Sequence, residues 1–375
     1  MAHIYLIGVR GIPNRYGGFE RLVEVLAPDL VARGHQVTVF CEQEGAEQSP
    51  GTGVPPKVED LWHGVRRRFV AVRSRGPLGT VEYDLRSFRE VPAGAIALIF
   101  GYGTGLFQRY LKQRGVRHAV NMDGIEWQRQ KWGHIARLWL RFNERQAARL
   151  ADELIADHPE IQAYLRTALG AKSTMIAYGV DEQAAQPDQQ ALPEHPLIDR
   201  YPPQSFFLVV ARPEPENQIH ILLDAYQRSR KRLPMVVLGN FDANAYGREL
   251  RARHTDVHFA GGVYDSKALD ELRRRSALYL HGHSVGGTNP SLIEAMAAGA
   301  WVIAHDNPFN RWVLADGGRY FDSVQALTTL LDQPPDAALR STQLAHAQAR
   351  CQAEFSWRHI LGQYAALVER LAAPA

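Results

Sequence analysis

The run Tyr279 to Met296, YLHGHSVGGTNPSLIEAM, carries the densest chemistry in this 375-residue chain. An apolar β-rich stretch ends in a glycine loop, and Asn289 and Pro290 then read as an N-cap and a first-turn proline. The backbone amides of Gly287, Thr288 and Asn289 are therefore placed to meet an anion, and a diphosphate suits such a helix start. Glu294, one turn further on, can accept hydrogen bonds from ribose hydroxyls; alternatively it serves its own helix as dipole partner or cap. His283 ends the strand beside the glycines, as a catalytic candidate or as an ordinary loop histidine. A second glycine loop, VRGIPNRYGGFE from Val9 to Glu20, follows the first strand. Gly17 and Gly18 let the backbone approach a ligand closely, and the helix start after them favours an anion or a sugar diphosphate; a plain tight turn is the alternative. The spacing is not that of the dinucleotide fingerprint, which disfavours NAD. Asp123, in VNMDGIEW, ends a buried strand and is the candidate for acid–base or sugar-orienting work, unless it merely caps a following helix. Asp157-His158 ranks lower because Pro159 makes a helix start natural there. No Asp-x-Asp pair occurs in the chain, so no carboxylate clamp for a divalent cation is expected and metal-independent chemistry without a cofactor is predicted.

Something must hold these loops. Apolar β-rich runs near 3–9, 36–42, 67–72, 95–100, 118–123 and 153–158 alternate with amphipathic segments, which implies βαβ units and a parallel sheet. After Tyr178-Gly179-Val180-Asp181 comes a Gln/Pro/Asp-rich stretch of linker composition, and a second series follows, with strands near 206–211, 235–239, 257–260, 278–281 and 301–304. The expected fold is α/β with two Rossmann-like doubly wound lobes facing across a cleft, ligands lying at the carboxyl ends of the strands. The expected boundaries are 1–182, a linker at 183–204, and a second lobe at 205–354. Hydrophobic residues make up 45% of the chain, no stretch approaches the ~18 apolar residues of a membrane span, and no secretory leader is visible, so a cytoplasmic protein is expected. The two cysteines, Cys41 and Cys351, lack the spacing of a zinc or redox motif. The net charge of +3 is uneven: residues 61–149 hold 17 Lys/Arg against 6 Asp/Glu, which favours an anionic surface or ligand.

The segment GGTNPSLIEAMAAGAWVIA resembles the donor-binding signature of family-4 GT-B glycosyltransferases. GGFERLVEVLAPDLVARGHQVTVF, AYGVD and VVARPEPENQIHILLDAY are similar to further stretches of that family. The resemblance implies retaining sugar transfer from a nucleoside-diphosphate donor, an N-terminal acceptor lobe, a C-terminal donor lobe, and a last helix (355–375) that crosses back to the first lobe. It maps Glu294 onto the family's ribose-binding glutamate and Arg212 onto a diphosphate-binding arginine. Two positions depart from the pattern: a sugar-contacting glutamate would fall at Gly286, and a diphosphate-binding lysine at Asn217. The combination of IPNRYGGFE, NMDGIEW, HGHSVGGTNPSLIEAM and HDNPFNR most resembles a bacterial subgroup associated with rhamnosyl transfer in surface polysaccharide assembly, implying dTDP-rhamnose as donor and a saccharide acceptor, lipid-linked or not. A sugar-nucleotide epimerase of the same fold and an inactive nucleotide-sugar-binding protein are the rival readings.

In WQRQKWGHIARLWLRFNERQAAR, residues 127–149, Trp132, Ile135, Trp139 and Phe142 recur at helical spacing, as do Arg137, Arg141, Arg145 and Arg149. The plain reading is a core stripe with a solvated basic face; the sharper one is peripheral contact with an anionic membrane. Nucleic-acid binding has no support beyond charge.

Overall fold

The computed structural model describes residues 1–14, 17–43, 58–74, 76–129, 132–181, 193–230, 233–333 and 336–373. The chain divides into two compact units, Met1–Ala177 with Ile360–Ala375, and Tyr178–His359.

Among the described residues unit 1 is built on eight strands: β1 (His3–Ile7), β2 (Gln36–Gln43), β3 (Glu59–Trp62), β4 (Val65–Ala71), β5 (Ile96–Phe100), β6 (Arg117–Asn121), β7 (Glu153–Ala156) and β8 (Thr174–Met175), in the order β3-β4-β2-β1-β5-β6-β7-β8. Every pairing is parallel except β3 with β4. That hairpin, not anticipated from the sequence, turns on His63-Gly64, both at positive φ, the conformation a tight two-residue hairpin needs. The central strands are buried and largely apolar, Ile4–Ile7 of β1 and all of β5, as strands covered on both faces must be. The final helix, Trp357–Ala372, brings Tyr364, Leu367, Val368 and Leu371 into this core, and the Tyr364 hydroxyl accepts a hydrogen bond from Asn121 Nδ2 at 3.1 Å.

Unit 2 holds six parallel strands: β9 (Phe207–Val210), β10 (Met235–Leu238), β11 (His258–Gly261), β12 (Leu278–His281), β13 (Val302–His305) and β14 (Gly318–Phe321), in the order β11-β10-β9-β12-β13-β14. This is the doubly wound order in which strand progression reverses between β9 and β12. Of the stretch expected as a linker, residues 183–192 lie outside the described residues, and the remainder is folded. Pro196–Arg200 forms a short helix capped by His195, and Leu197, Ile198 and Tyr201 are buried in unit 2. Polar composition concealed these three anchors.

Helix His134–Leu150 corrects the core-stripe reading. Ile135, Leu138, Trp139 and Phe142 face outward at 85, 67, 39 and 42% exposure, while Asn143, Glu144 and Gln146 are buried. The inward polar groups are held by specific partners. Asn143 Oδ1 accepts the Leu106 amide at 2.9 Å, and Glu144 accepts from the Tyr164 hydroxyl at 2.9 Å and from Trp127 Nε1 at 3.3 Å. Gly105 lies so close to Asn143 that a Cβ there would sit 2.2 Å from its carbonyl oxygen. Buried polar groups with partners cost little, so hydrophobic periodicity alone could not tell which face turned inward.

Candidate functional site

At the unit 2 reversal, the loops after β9 and β12 emerge side by side. Ser284 donates both its amide (2.9 Å) and its hydroxyl (2.8 Å) to the Glu216 carbonyl, tying the loops together. A Cβ on Gly282 would lie 2.4 Å from the Asn217 carbonyl oxygen, so only glycine permits this approach. The sequence-named residues Arg212, Asn217, His283, Gly286, Gly287, Thr288, Asn289 and Glu294 all sit on or next to these two loops.

Their roles differ. Arg212 is exposed, and among the described residues its guanidinium makes no hydrogen bond or ion pair, which leaves a cation at the mouth of the loop. Asn217 is buried, and its Nδ2 donates to the Arg212 carbonyl at 2.8 Å. It thereby shapes the arginine's loop. Helix Pro290–Ala297 starts as expected: Asn289 Oδ1 accepts the Ser291 amide at 3.1 Å, and Pro290 stands at the first position. The amides of Gly287 and Asn289 bond to no backbone or side-chain acceptor among the described residues. Gly286 has φ +144 with open space around its Cβ direction, so the loop at the position of the family's glutamate has a backbone suited to glycine.

Glu294 has a partner that sequence did not reveal. Arg273, on helix Ser266–Arg275, is 3% exposed and bridges Glu294 Oε2 at 2.5 Å and Asp270 Oδ1 at 2.8 Å. Burial pushes the Asp270 carboxyl up, and the neighbouring Arg273 opposes that shift. With Oε2 fixed, Glu294 remains partly exposed and has a second oxygen for a ligand. The only sequence trace was Asp270 and Arg273 three apart on one helix face.

His283 stacks on His281, with ring centroids 4.3 Å apart at 9°. His281 is buried with neither ring nitrogen hydrogen-bonded among the described residues, and burial, together with His283 and His305, pulls its pKa well below the ordinary histidine value. The His283 carbonyl accepts from Asn307 Nδ2 at 3.0 Å and Asn310 Nδ2 at 2.9 Å. HDNPFNR therefore acts as a brace: Asn307 also caps helix Pro308–Leu314, and Asn310 also bonds the His305 carbonyl at 2.8 Å. Glu216 is a further group missed by sequence reasoning, a buried carboxylate with neither oxygen hydrogen-bonded among the described residues.

In unit 1 the reversal lies between β1 and β5. Gly17 is the N-cap of helix Gly18–Ala32, but the helix brings its own acid. Glu20 is buried in the first turn and accepts the Arg10 amide at 3.1 Å, so this helix start is partly satisfied from within. Residues 15 and 16 of that loop lie outside the described residues. Asp123 follows β6 at φ +52, with its amide donating to Asn121 Oδ1 at 3.0 Å. The short helix after it is capped at Ile125 without a side-chain bond, so Asp123 is not its cap. Asp84 is a buried carboxyl here; burial raises it to about 7 although the Thr104 hydroxyl donates to it at 2.7 Å.

Residues 195–333 match the family described as glycosyl transferases group 1, and residues 94–181 match a domain of unknown function, DUF1972. Within unit 2, residues 195–333 are thus similar to group 1 glycosyl transferases. Arg212, Asn217, the 286–289 loop and Glu294 fall inside the group 1 match, and Asp123 falls inside the DUF1972 match. The whole chain is similar to sucrose-phosphate synthase from Thermosynechococcus elongatus, with TM-score 0.80, 20% identity and 99% of each chain covered. It is also similar to Anabaena HepE in complex with UDP and glucose, with TM-score 0.74, 18% identity, and 99% of this chain and 100% of that one covered. At such identities the likeness concerns the fold, and the fold is GT-B. Phosphatidyl-myo-inositol mannosyltransferase of Mycolicibacterium smegmatis is 30% identical over 213 residues, 52% of this chain and 51% of the relative. The chain thus matches about half the length of that curated relative.

Proposed function

We propose that this chain transfers a sugar from a nucleoside-diphosphate donor to a saccharide acceptor, with unit 2 holding the donor. The observation that carries this reading is the meeting, at one strand reversal, of an exposed Arg212 with no partner among the described residues, the start of helix Pro290–Ala297, and a Glu294 carboxylate anchored by buried Arg273. As the bond from the anomeric carbon to the diphosphate breaks, negative charge grows on the leaving oxygen. Arg212 and the amides of the 287–289 loop stabilise it where it develops, without need of a metal ion. Glu294 accepts the ribose hydroxyls through the oxygen that Arg273 leaves open. Asp123 and His283 are the groups proposed to orient the sugar or move a proton, and unit 1 is proposed to take the acceptor. Retention of anomeric configuration belongs to the same reading.

The motif resemblance favours dTDP-rhamnose as donor. HepE forms a complex with UDP and glucose, and the Mycolicibacterium relative is a phosphatidyl-myo-inositol mannosyltransferase, so a UDP-hexose and a nucleotide-activated mannose are the competing donors and a lipid-linked acceptor is included. A thermal-shift and turnover panel of these nucleotide sugars tests the reading, since a donor bound to the folded state raises its melting temperature. Stabilisation by dTDP-rhamnose and rhamnosyl transfer support it. A UDP-hexose used while dTDP-rhamnose stays inert overturns the rhamnose assignment alone. Donor epimerised in the absence of acceptor, or binding with no turnover on any acceptor, overturns transfer.

A further inference from the structure

Helix His134–Leu150 has one face left uncovered, and the geometry points to an anionic lipid bilayer as its occupant. Ile135, Leu138, Trp139 and Phe142 lie three and four residues apart and so form one outward ridge. The Trp139 ring is anchored by Nε1 donating to the Gly103 carbonyl at 2.9 Å and still exposes part of its surface. Beside the ridge, Arg141, Arg145 and Arg149 are exposed at four-residue spacing, and Arg141 stacks over Trp127 at 4.7 Å. Arg109, exposed on helix Gln108–Gln113, reaches the flank at Gln146.

Among the described residues no carboxylate lies on the helix's exposed face beside these charges. Glu144, the one acid on the helix, is turned inward to Tyr164 and Trp127, where Arg141 and Arg145 still feel its charge from outside, and Glu126 on the preceding turn is taken by Arg129 at 2.8 Å and Trp132 Nε1 at 3.0 Å. An outward apolar ridge bearing Trp and Phe, flanked by arginines, is the composition of a helix that lies in a membrane interface with its apolar side in the acyl boundary. A second copy fits poorly, because a two-fold pairing sets each arginine row near its own image with no acid between. The excess of 17 Lys/Arg over 6 Asp/Glu across residues 61–149 adds attraction toward anionic headgroups. No helix among the described residues is long and apolar enough to cross a membrane, so the contact is with a surface. The inference stands apart from the transferase reading; where both hold, a lipid-carried acceptor is met at that surface.

Flotation of the full chain with phosphatidylglycerol vesicles, against phosphatidylcholine vesicles, reads the surface without reading any sugar chemistry. Binding to phosphatidylglycerol at low ionic strength is expected, with little to phosphatidylcholine and release as salt screens the charges. Ile135→Ser/Leu138→Ser alters two exposed side chains, so it should keep the melting temperature while weakening partitioning about tenfold or more. Arg145→Gln/Arg149→Gln should weaken it roughly 30-fold. Absence of flotation with phosphatidylglycerol at low salt, or variants that float like wild type, overturns the inference. So does a concentration-dependent dimer in sedimentation velocity that Ile135→Ser/Leu138→Ser abolishes, or RNA binding that replaces vesicle binding.

Discussion

Arg273→Met removes a charge at nearly constant volume from a position that is 3% exposed and lies within 2.8 Å of Asp270 and 2.5 Å of Glu294. Deleting one member of a buried ion pair typically costs about 3–5 kcal/mol, because the surviving charge is stranded. Here Glu294 is about one-third exposed and water relieves part of its share, so the lower end applies, about 3 kcal/mol. For a cooperative unit the size of Tyr178–His359, each 1 kcal/mol moves the midpoint by roughly 2–4 °C, which gives a fall of about 6–12 °C. The assay is calorimetry of wild type, Arg273→Met, Glu294→Gln and the double variant, with nucleoside-diphosphate titrations of each. If the bridge holds Glu294 for ribose, the two substitutions couple by ~1 kcal/mol or more, and each weakens nucleotide binding about tenfold or more, as loss of a charged hydrogen bond does. Effects that add within roughly 0.5 kcal/mol, with nucleotide affinity unchanged in Arg273→Met, would refute the positioning role.

Three further outcomes are expected. Arg212→Ala should lose about 100-fold or more in turnover with little change in melting temperature, since the side chain is exposed and has no partner among the described residues; turnover within a few-fold of wild type in steady-state assays sinks its charge-stabilising role. Asp84 is protonated in the fold below about pH 7 but ionised in the unfolded chain above about pH 4, so its burial lowers stability as pH rises through that window. Asp84→Asn should therefore raise the melting temperature at about pH 8 and leave it little changed at about pH 4, and an equal shift at both ends contradicts the raised carboxyl. Gly286→Glu restores the residue type of the family pattern at φ +144, so it should lose about 1–3 kcal/mol to backbone strain and not tighten donor binding; tighter binding of a UDP-hexose in calorimetric titration would show that the loop accepts the glutamate.

The parts of this fold legible in the sequence were those with a local signature. Continuous apolar runs such as Ile96–Phe100 and Met235–Leu238 mark buried parallel strands, and Asn289-Pro290 marks a helix start with its cap. What stayed hidden depends on partners distant in sequence. Arg273 gives no sign that it will meet Glu294, 21 residues away, and Asn307 and Asn310 give none that they will brace the His283 carbonyl. The motif position of Asn217 does not disclose that its side chain is buried and holds the Arg212 carbonyl, which shapes that loop. The 134–150 helix shows the limit most plainly, because its polar residues went inward to partners that periodicity cannot register.

The return of Ile360–Ala375 to unit 1 bears on how this protein can be taken apart. A fragment cut after Ala177 would lose Tyr364, Leu367, Val368 and Leu371, all buried, and would leave Asn121 beneath Asp123 without its tyrosine partner. Such a fragment would present a greasy scar and recruit another molecule to cover it. To study unit 1 alone, its terminal helix has to be grafted back, either as a separate peptide supplied in trans or by joining residue 177 to residue 360 through a designed connector, which turns a discontinuous module into a continuous one.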